Sequence, residues 1–115
     1  IDKQKFKQKN RILLILLDST LEIAFKEFLV YESGTKYSNQ RLLNLFSDRT
    51  QVHDEVRKYT NFGAPFWNKI SSYYNQRCNL VHQKATVSIS DVEIGDFGAT
   101  VGKVPGTMFG LQFQE

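Results

Sequence analysis

The first third of the chain carries the pattern that most limits its fold. Over residues 4–31, apolar residues recur every three or four positions, which is the spacing of a helix buried along one wide face. The inward-facing set is Leu13, Leu16, Leu17, Leu21, Ala24, Phe25, Phe28 and Leu29. We therefore predict one long central helix here, against which the rest of the chain packs.

Turn and cap residues divide the next part of the chain into two short helices. Gly34 ends the first helix, and Ser38 is placed to cap a helix over residues 39–46. Its predicted inward-facing residues are Leu42, Leu43, Leu45 and Phe46. Either Asp48 or Thr50 caps a further helix over residues 51–59, with Val52 and Val56 on one face.

Two more helices follow. Pro65 suits a first helical position, and it begins an aromatic helix that runs to about residue 83. Alternating residues 86–89 indicate a short extended connector, and the sequence from Ser90 to Glu93 matches a capping box. The last helix carries glycines at steps of three or four, so we expect it to weaken or break after Lys103. The glycines would either let another helix approach closely or leave an irregular tail.

Length and composition limit the class of protein. A chain of 115 residues with 41% apolar residues supports one domain, here residues 1–115, with one core. Its only cysteine, Cys78, cannot form an internal disulfide, and its longest apolar run, residues 12–17, is too short to cross a bilayer. We expect a cytoplasmic domain with no membrane contact, and the initial Ile1 suggests a part of a longer protein.

The aromatic helix ends with the residues best suited to chemistry. Arg77 and His82 pair a phosphate-binding side chain with one that transfers protons near neutral pH. Five positions turn a helix by about 140°, so the two converge only if the arginine reaches around the turn or if a second copy packs against this helix. The alternatives are an arginine paired with an acidic residue and a histidine that caps the helix.

Other candidates receive simpler interpretations. His53 has no companion at a useful spacing and is predicted to face solvent, and Cys78 is predicted to be a small apolar residue rather than a nucleophile. Trp67, Tyr73 and Tyr74 have the spacing of core residues, although aromatic rings also stack on bases. No cluster has metal-ligand spacing, so we predict neither a metal nor a cofactor.

The order of these helices, together with the segment from Tyr73 to His82, resembles the HEPN domains (higher eukaryotes and prokaryotes nucleotide-binding). The resemblance covers essentially the whole chain and rests on the Arg-x4-His motif and the helix order. It implies an all-α, antiparallel bundle of about five helices that forms a homodimer through the motif helix.

The resemblance also implies a function. Two facing motifs would form a metal-independent endoribonuclease site, in which Arg77 holds the scissile phosphate and His82 acts as general acid or base. Substrate contacts are predicted for Tyr74, Asn75, Asn79 and Lys84. Members of this family occur in prokaryotic defence, toxin and stress proteins, so RNA and other domains of a parent protein are the expected partners.

The alternative implied by the same resemblance is a non-catalytic domain for dimerisation or for nucleotide or RNA binding. Many active members have a polar residue directly after the arginine, whereas this chain has Cys78 there. A subgroup paired with nucleotidyltransferase antitoxins has a tyrosine two positions after the histidine, and Lys84 occupies that position here. We therefore do not predict that toxin–antitoxin pairing.

Overall fold

The computed structural model describes residues 3–81 and 89–110, and every described element is a helix. The six helices are α1 (Lys3–Tyr31), α2 (Asn39–Phe46), α3 (Arg49–Arg57), α4 (Ala64–Val81), α5 (Asp91–Gly102) and α6 (Val104–Phe109). The all-α class is confirmed. Four of the five predicted helices correspond to α1–α4, and the predicted last helix corresponds to α5 and α6, which are separated at Lys103. None of the helices in these residues is long and apolar enough to cross a membrane.

The long helix α1 is the centre of the bundle, and α3, α4, α5 and α6 all pack against it. Its buried face supplies much of the core, and Phe25 lies against the ring of Trp67 on α4 with centroids 5.5 Å apart. On the other side, Tyr73 of α4 stacks on Phe97 of α5 at 4.4 Å. These contacts bury one continuous apolar core along α1.

The helices begin where their caps predict. The side chain of Ser38 accepts a hydrogen bond from the backbone of Arg41, and Asp48, rather than Thr50, caps α3 by accepting from the Thr50 backbone. Ser90 and Glu93 form the predicted capping box at the start of α5. Each cap satisfies backbone N–H groups that have no partner within the helix.

Asn10 ties the beginning of α1 to the beginning of α5. Its side-chain nitrogen donates to the backbone oxygen of Ile89 at 2.9 Å and to the carboxylate of Asp91 at 2.8 Å, and the residue is buried. This contact sets where the chain rejoins the bundle before α5. Most of the predicted extended connector, residues 86–88, lies outside the described residues.

Two predicted core positions are wrong. Leu16 is more than half exposed, whereas Leu14, two residues earlier, is fully buried. Leu43 on α2 is also exposed, because α2 contacts the bundle through Leu45 while Leu42 and Phe46 are only partly covered. Both errors come from helices that carry apolar residues on more than one face.

The predicted break after Lys103 is confirmed, but the chain is helical on both sides of it. Pro105 lies in the first turn of α6, where its missing N–H has no helical partner to lose. Gly110 ends α6 with a φ of 64°, a conformation that favours glycine. Gly98 is the helical glycine of α5 nearest to α1, and a Cβ there would meet Leu17 at an ordinary 4.0 Å.

Candidate functional site

A buried carboxylate on α1 is the centre of the candidate site. Asp18 lies on the same face of α1 as Leu14, Leu21 and Phe25, and its side chain is fully inaccessible to solvent. An isolated charge in such a position would cost several kcal/mol of desolvation. The fold therefore has to supply cations to this point, and α3 and α4 each supply one arginine.

Arg49, the first residue of α3, makes a two-pronged contact with this carboxylate. Its Nη2 atom lies 2.8 Å from Asp18 Oδ1, and its Nη1 atom lies 3.2 Å from Oδ2. The guanidinium is itself almost completely buried and also approaches Glu22 at 3.5 Å. Paired hydrogen bonds of this kind fix both the position and the plane of the arginine.

His53 extends this network by one turn of α3. Arg49 Nε donates to His53 Nε2 at 3.0 Å, so the neutral ring carries its proton on Nδ1. Burial and then the positive charge of Arg49 lower the pKa of His53 to about 4. The prediction that His53 faces solvent is wrong: the ring is buried against Phe25 and Trp67, which cover it from α1 and α4.

Arg77 reaches the same carboxylate from α4. Its Nε atom lies 2.7 Å from Asp18 Oδ2, although the N–H bond is not directed at an acceptor, so the contact is an ion pair rather than a hydrogen bond. About 24% of the Arg77 side chain is exposed, and none of that exposed area belongs to Nε. Arg77 is therefore anchored at its inner nitrogen and reaches solvent through its other atoms.

The ring of Tyr74 lies close to both arginines. The guanidinium carbon of Arg49 is 4.7 Å from the ring centroid, and that of Arg77 is 5.4 Å from it. Two such cation–π contacts help to hold the positive charges near one another. A hydrogen bond with Cys78 and partial burial raise the pKa of the Tyr74 hydroxyl.

The structure separates some of the predicted site residues and brings others together. Tyr74 and Arg77 adjoin, whereas Asn75 and Asn79 are exposed. Two positions turn a helix by about 200°, so both asparagines project away from Arg77 within one chain. His82 and Lys84 lie outside the described residues.

The sequence prediction missed Asp18, Glu22 and Arg49. The available signal was an acidic residue within the apolar face of α1, a position that requires a cation in the folded protein. Residues 8–81 and 89–110 contain no group of three or more His, Cys, Asp or Glu side chains that would hold a metal ion.

A small polar pocket lies beside the network, between α3 and α4. It has a volume of about 90 Å³. The residues that line it are Thr50, His53, Asp54, Arg57, Trp67, Asn68 and Ser71. The indole nitrogen of Trp67 is buried and makes no hydrogen bond to any described group.

Comparison with known proteins gives no family. No family model matches this chain, and neither a curated protein nor a solved structure matches it. The helical class therefore comes from the fold itself, and the interpretation of the site depends on its chemistry.

Proposed function

We propose that this chain is a metal-independent endoribonuclease domain of the HEPN type, in which Arg77 binds the scissile phosphate and His82 transfers protons. The observation that supports this most is the anchoring of Arg77. Its Nε atom contacts the buried Asp18 carboxylate, while a quarter of its side chain stays open to solvent. An arginine held in this way can bind a phosphate without first losing side-chain freedom.

The reaction needs three events at one phosphodiester. A base removes the proton of the ribose 2'-hydroxyl, the 2'-oxygen attacks phosphorus, and the 5'-oxygen leaves with a proton from an acid. The products are a 2',3'-cyclic phosphate and a 5'-hydroxyl, so this step consumes no water. His82 is assigned the proton transfers and Arg77 the charge that develops on the phosphate oxygens.

A homodimer through α4 would bring two such motifs together. Five positions of a regular helix correspond to about 140° of rotation, so a second α4 would supply the residue that complements each Arg77. The predicted RNA contacts through Tyr74, Asn75, Asn79 and Lys84 belong to this arrangement. The proposed setting is the cytoplasm of a prokaryote, as part of a larger defence or stress protein.

The second candidate is a non-catalytic domain that binds RNA or a partner chain. The ion pair between Arg77 and Asp18 favours this alternative, because an arginine with an acidic partner is sufficiently explained by the stability of the fold. The residue after Arg77 is Cys78, where active HEPN members often have a polar side chain. The two candidates differ in what His82 does.

The deciding experiment is incubation of the purified domain with total RNA in EDTA, beside His82→Ala. We expect the wild type to cleave and to leave cyclic phosphate ends, and His82→Ala to be inactive. Gln83→Ala is the matched control, since it truncates the adjacent side chain without removing a proton-transfer group.

Arg77→Lys adds a second test, because lysine keeps the charge but has one nitrogen for two partners. We expect its cleavage rate to fall at least about tenfold while the protein remains folded. A folded wild-type protein that leaves RNA intact would favour the non-catalytic candidate. Equal cleavage by wild type and His82→Ala would remove the proposed site.

A further inference from the structure

The solvent face of α1 carries an apolar stripe. It consists of Ile12, Leu16, Ile23 and Val30, whose exposed fractions are 58%, 56%, 63% and 39%. On a helix of 3.6 residues per turn these four side chains fall within about 40° of one another, opposite the face that carries Asp18. The stripe is about 27 Å long, with Ser19 and Lys26 between its apolar residues, and several exposed apolar side chains along one helix face indicate an interaction site.

The spacing of the stripe is that of a surface which packs against another helix. Leu16, Ile23 and Val30 are separated by seven residues, and Ile12 precedes Leu16 by four. Residues seven apart occupy one of the two seam positions of paired helices, and the other position holds Ile12, Ser19 and Lys26. Four exposed apolar side chains along one line of a helix suit packing against a second helix.

The charges of α1 indicate which helix would pack there. Residues 3–11 contain five basic residues and no acidic one. Residues 22–32 contain three acidic residues, Glu22, Glu27 and Glu32, and one basic residue, Lys26, which is paired with Glu22 at 2.9 Å. A second α1 in the antiparallel direction would place the basic end of each helix beside the acidic end of the other, whereas a parallel pair would place like charges together.

We propose that the α1 stripe, residues 12, 16, 23 and 30, binds the α1 stripe of a second copy of this chain in the antiparallel direction. The two-fold axis passes near the level of Leu21, midway between residues 12 and 30. Ile12 of one copy then faces Val30 of the other. Val30 and Leu42 line a surface pocket of about 300 Å³ together with Thr35, Lys36 and Tyr37, and this pocket adjoins the position of the incoming Ile12.

This contact is independent of the proposed ribonuclease function. Asp18 and Arg77 lie on the opposite side of α1 from the stripe, so pairing through α1 leaves the two Arg77 side chains on the outer faces of the pair. Pairing through α4 would use another surface. A chain that uses both contacts would form an assembly larger than a dimer.

The first test is the mass of the assembly in solution. We expect sedimentation equilibrium of the wild type to show self-association, and Leu16→Glu/Ile23→Glu to halve the mass of the assembly. Val92→Glu on α5 is the control, because Val92 is 82% exposed and lies outside the stripe. A monomeric wild type, or an unchanged mass in the double variant, would overturn the proposal.

The second test establishes whether the two α1 helices pair in the antiparallel or the parallel direction. In a Cys78→Ser background, Thr20→Cys lies beside the two-fold axis and should cross-link to itself with a short bismaleimide. Ile12→Cys should not cross-link to itself but should do so to Val30→Cys in a mixture. Self-cross-linking of Ile12→Cys would indicate a parallel pair and refute the antiparallel arrangement.

RNA cleavage by the Leu16→Glu/Ile23→Glu variant separates the two proposals. Cleavage at the wild-type rate, with loss of α1 pairing, supports both. Loss of pairing without cleavage in either protein leaves this interface supported and the ribonuclease proposal refuted.

Discussion

The charge of Asp18 should make a larger contribution to stability than that of any exposed acid in this protein. Removing one partner of a buried ion pair costs about 3–5 kcal/mol, because the remaining charge stays buried without compensation. In Asp18→Asn the remaining charge is mainly that of Arg49, whose side chain is 4% exposed. Glu22 still lies 3.5 Å from Arg49 and asparagine keeps one acceptor oxygen, so we expect a loss of about 3 kcal/mol, at the lower end of that range.

The assay is equilibrium unfolding in urea at pH 7. With a slope of about 1.5 kcal/mol per molar urea, a loss of about 3 kcal/mol lowers the midpoint by about 2 M. Asp54→Asn is the matched control, since it makes the same chemical change at an exposed position of α3 and should stay within about 0.5 kcal/mol.

Arg77→Met should lower the free energy of unfolding by a smaller amount, about 1 kcal/mol. Asp18 still has its ion pair with Arg49 in this variant, and the Arg77 side chain is partly exposed to solvent. The double variant Asp18→Asn/Arg77→Met should lose less than the sum of the single losses, since both changes remove the same contact. Equal losses in Asp18→Asn and Asp54→Asn would refute the argument from burial. A larger loss in Arg77→Met than in Asp18→Asn would show that Arg77, not Arg49, is the main counter-charge.

Three further predictions concern other parts of the fold. The pKa of His53 is lowered to about 4 from an ordinary 6.5, so the unfolded chain binds a proton at a higher pH than the folded protein does. The free energy of unfolding should therefore fall by up to about 3 kcal/mol as the pH decreases from 6.5 to 4. Urea titrations of His53→Phe over the same pH range should show a smaller fall. Ser90→Ala removes the capping box of α5 and should lower the unfolding free energy by about 1 kcal/mol, whereas Ser72→Ala, at an exposed position within α4, should leave it unchanged within about 0.5 kcal/mol. Leu14→Ala should lower the unfolding free energy by about 3 kcal/mol in the same assay and Val92→Ala, at an exposed position of α5, by less than about 0.5, and equal losses would contradict the described burial of Leu14.

The sequence predicts the helix boundaries well because capping is local. Ser38, Asp48 and Ser90 each act on backbone groups within three residues, so a short stretch of sequence contains the whole interaction. Which face of α1 is buried depends on distant parts of the chain and not on local sequence. Leu14 and Leu16 belong to two apolar stripes of the same helix, and which of them is buried depends on where the other helices pack.

The candidate site shows the same difference between features set by local sequence and features set by distant residues. Arg77 can be selected from its motif, but its contact with Asp18 joins residues that are far apart in the sequence. An acid within the apolar face of α1 predicts that a cation will be needed, and the chain offers several arginines for that role. The burial of His53 likewise depends on Phe25 and Trp67, which arrive from different helices.

The hydrogen bonds of Asn10 have a consequence for the order of folding. They join residues separated by 79 and 81 positions, so forming them early would require closure of a long loop before other contacts repay its entropy. The contacts among α2, α3 and α4 span shorter loops and can form first. We therefore expect these hydrogen bonds to form mainly after the transition state, so that replacing Asn10 would speed unfolding while leaving the rate of folding nearly unchanged.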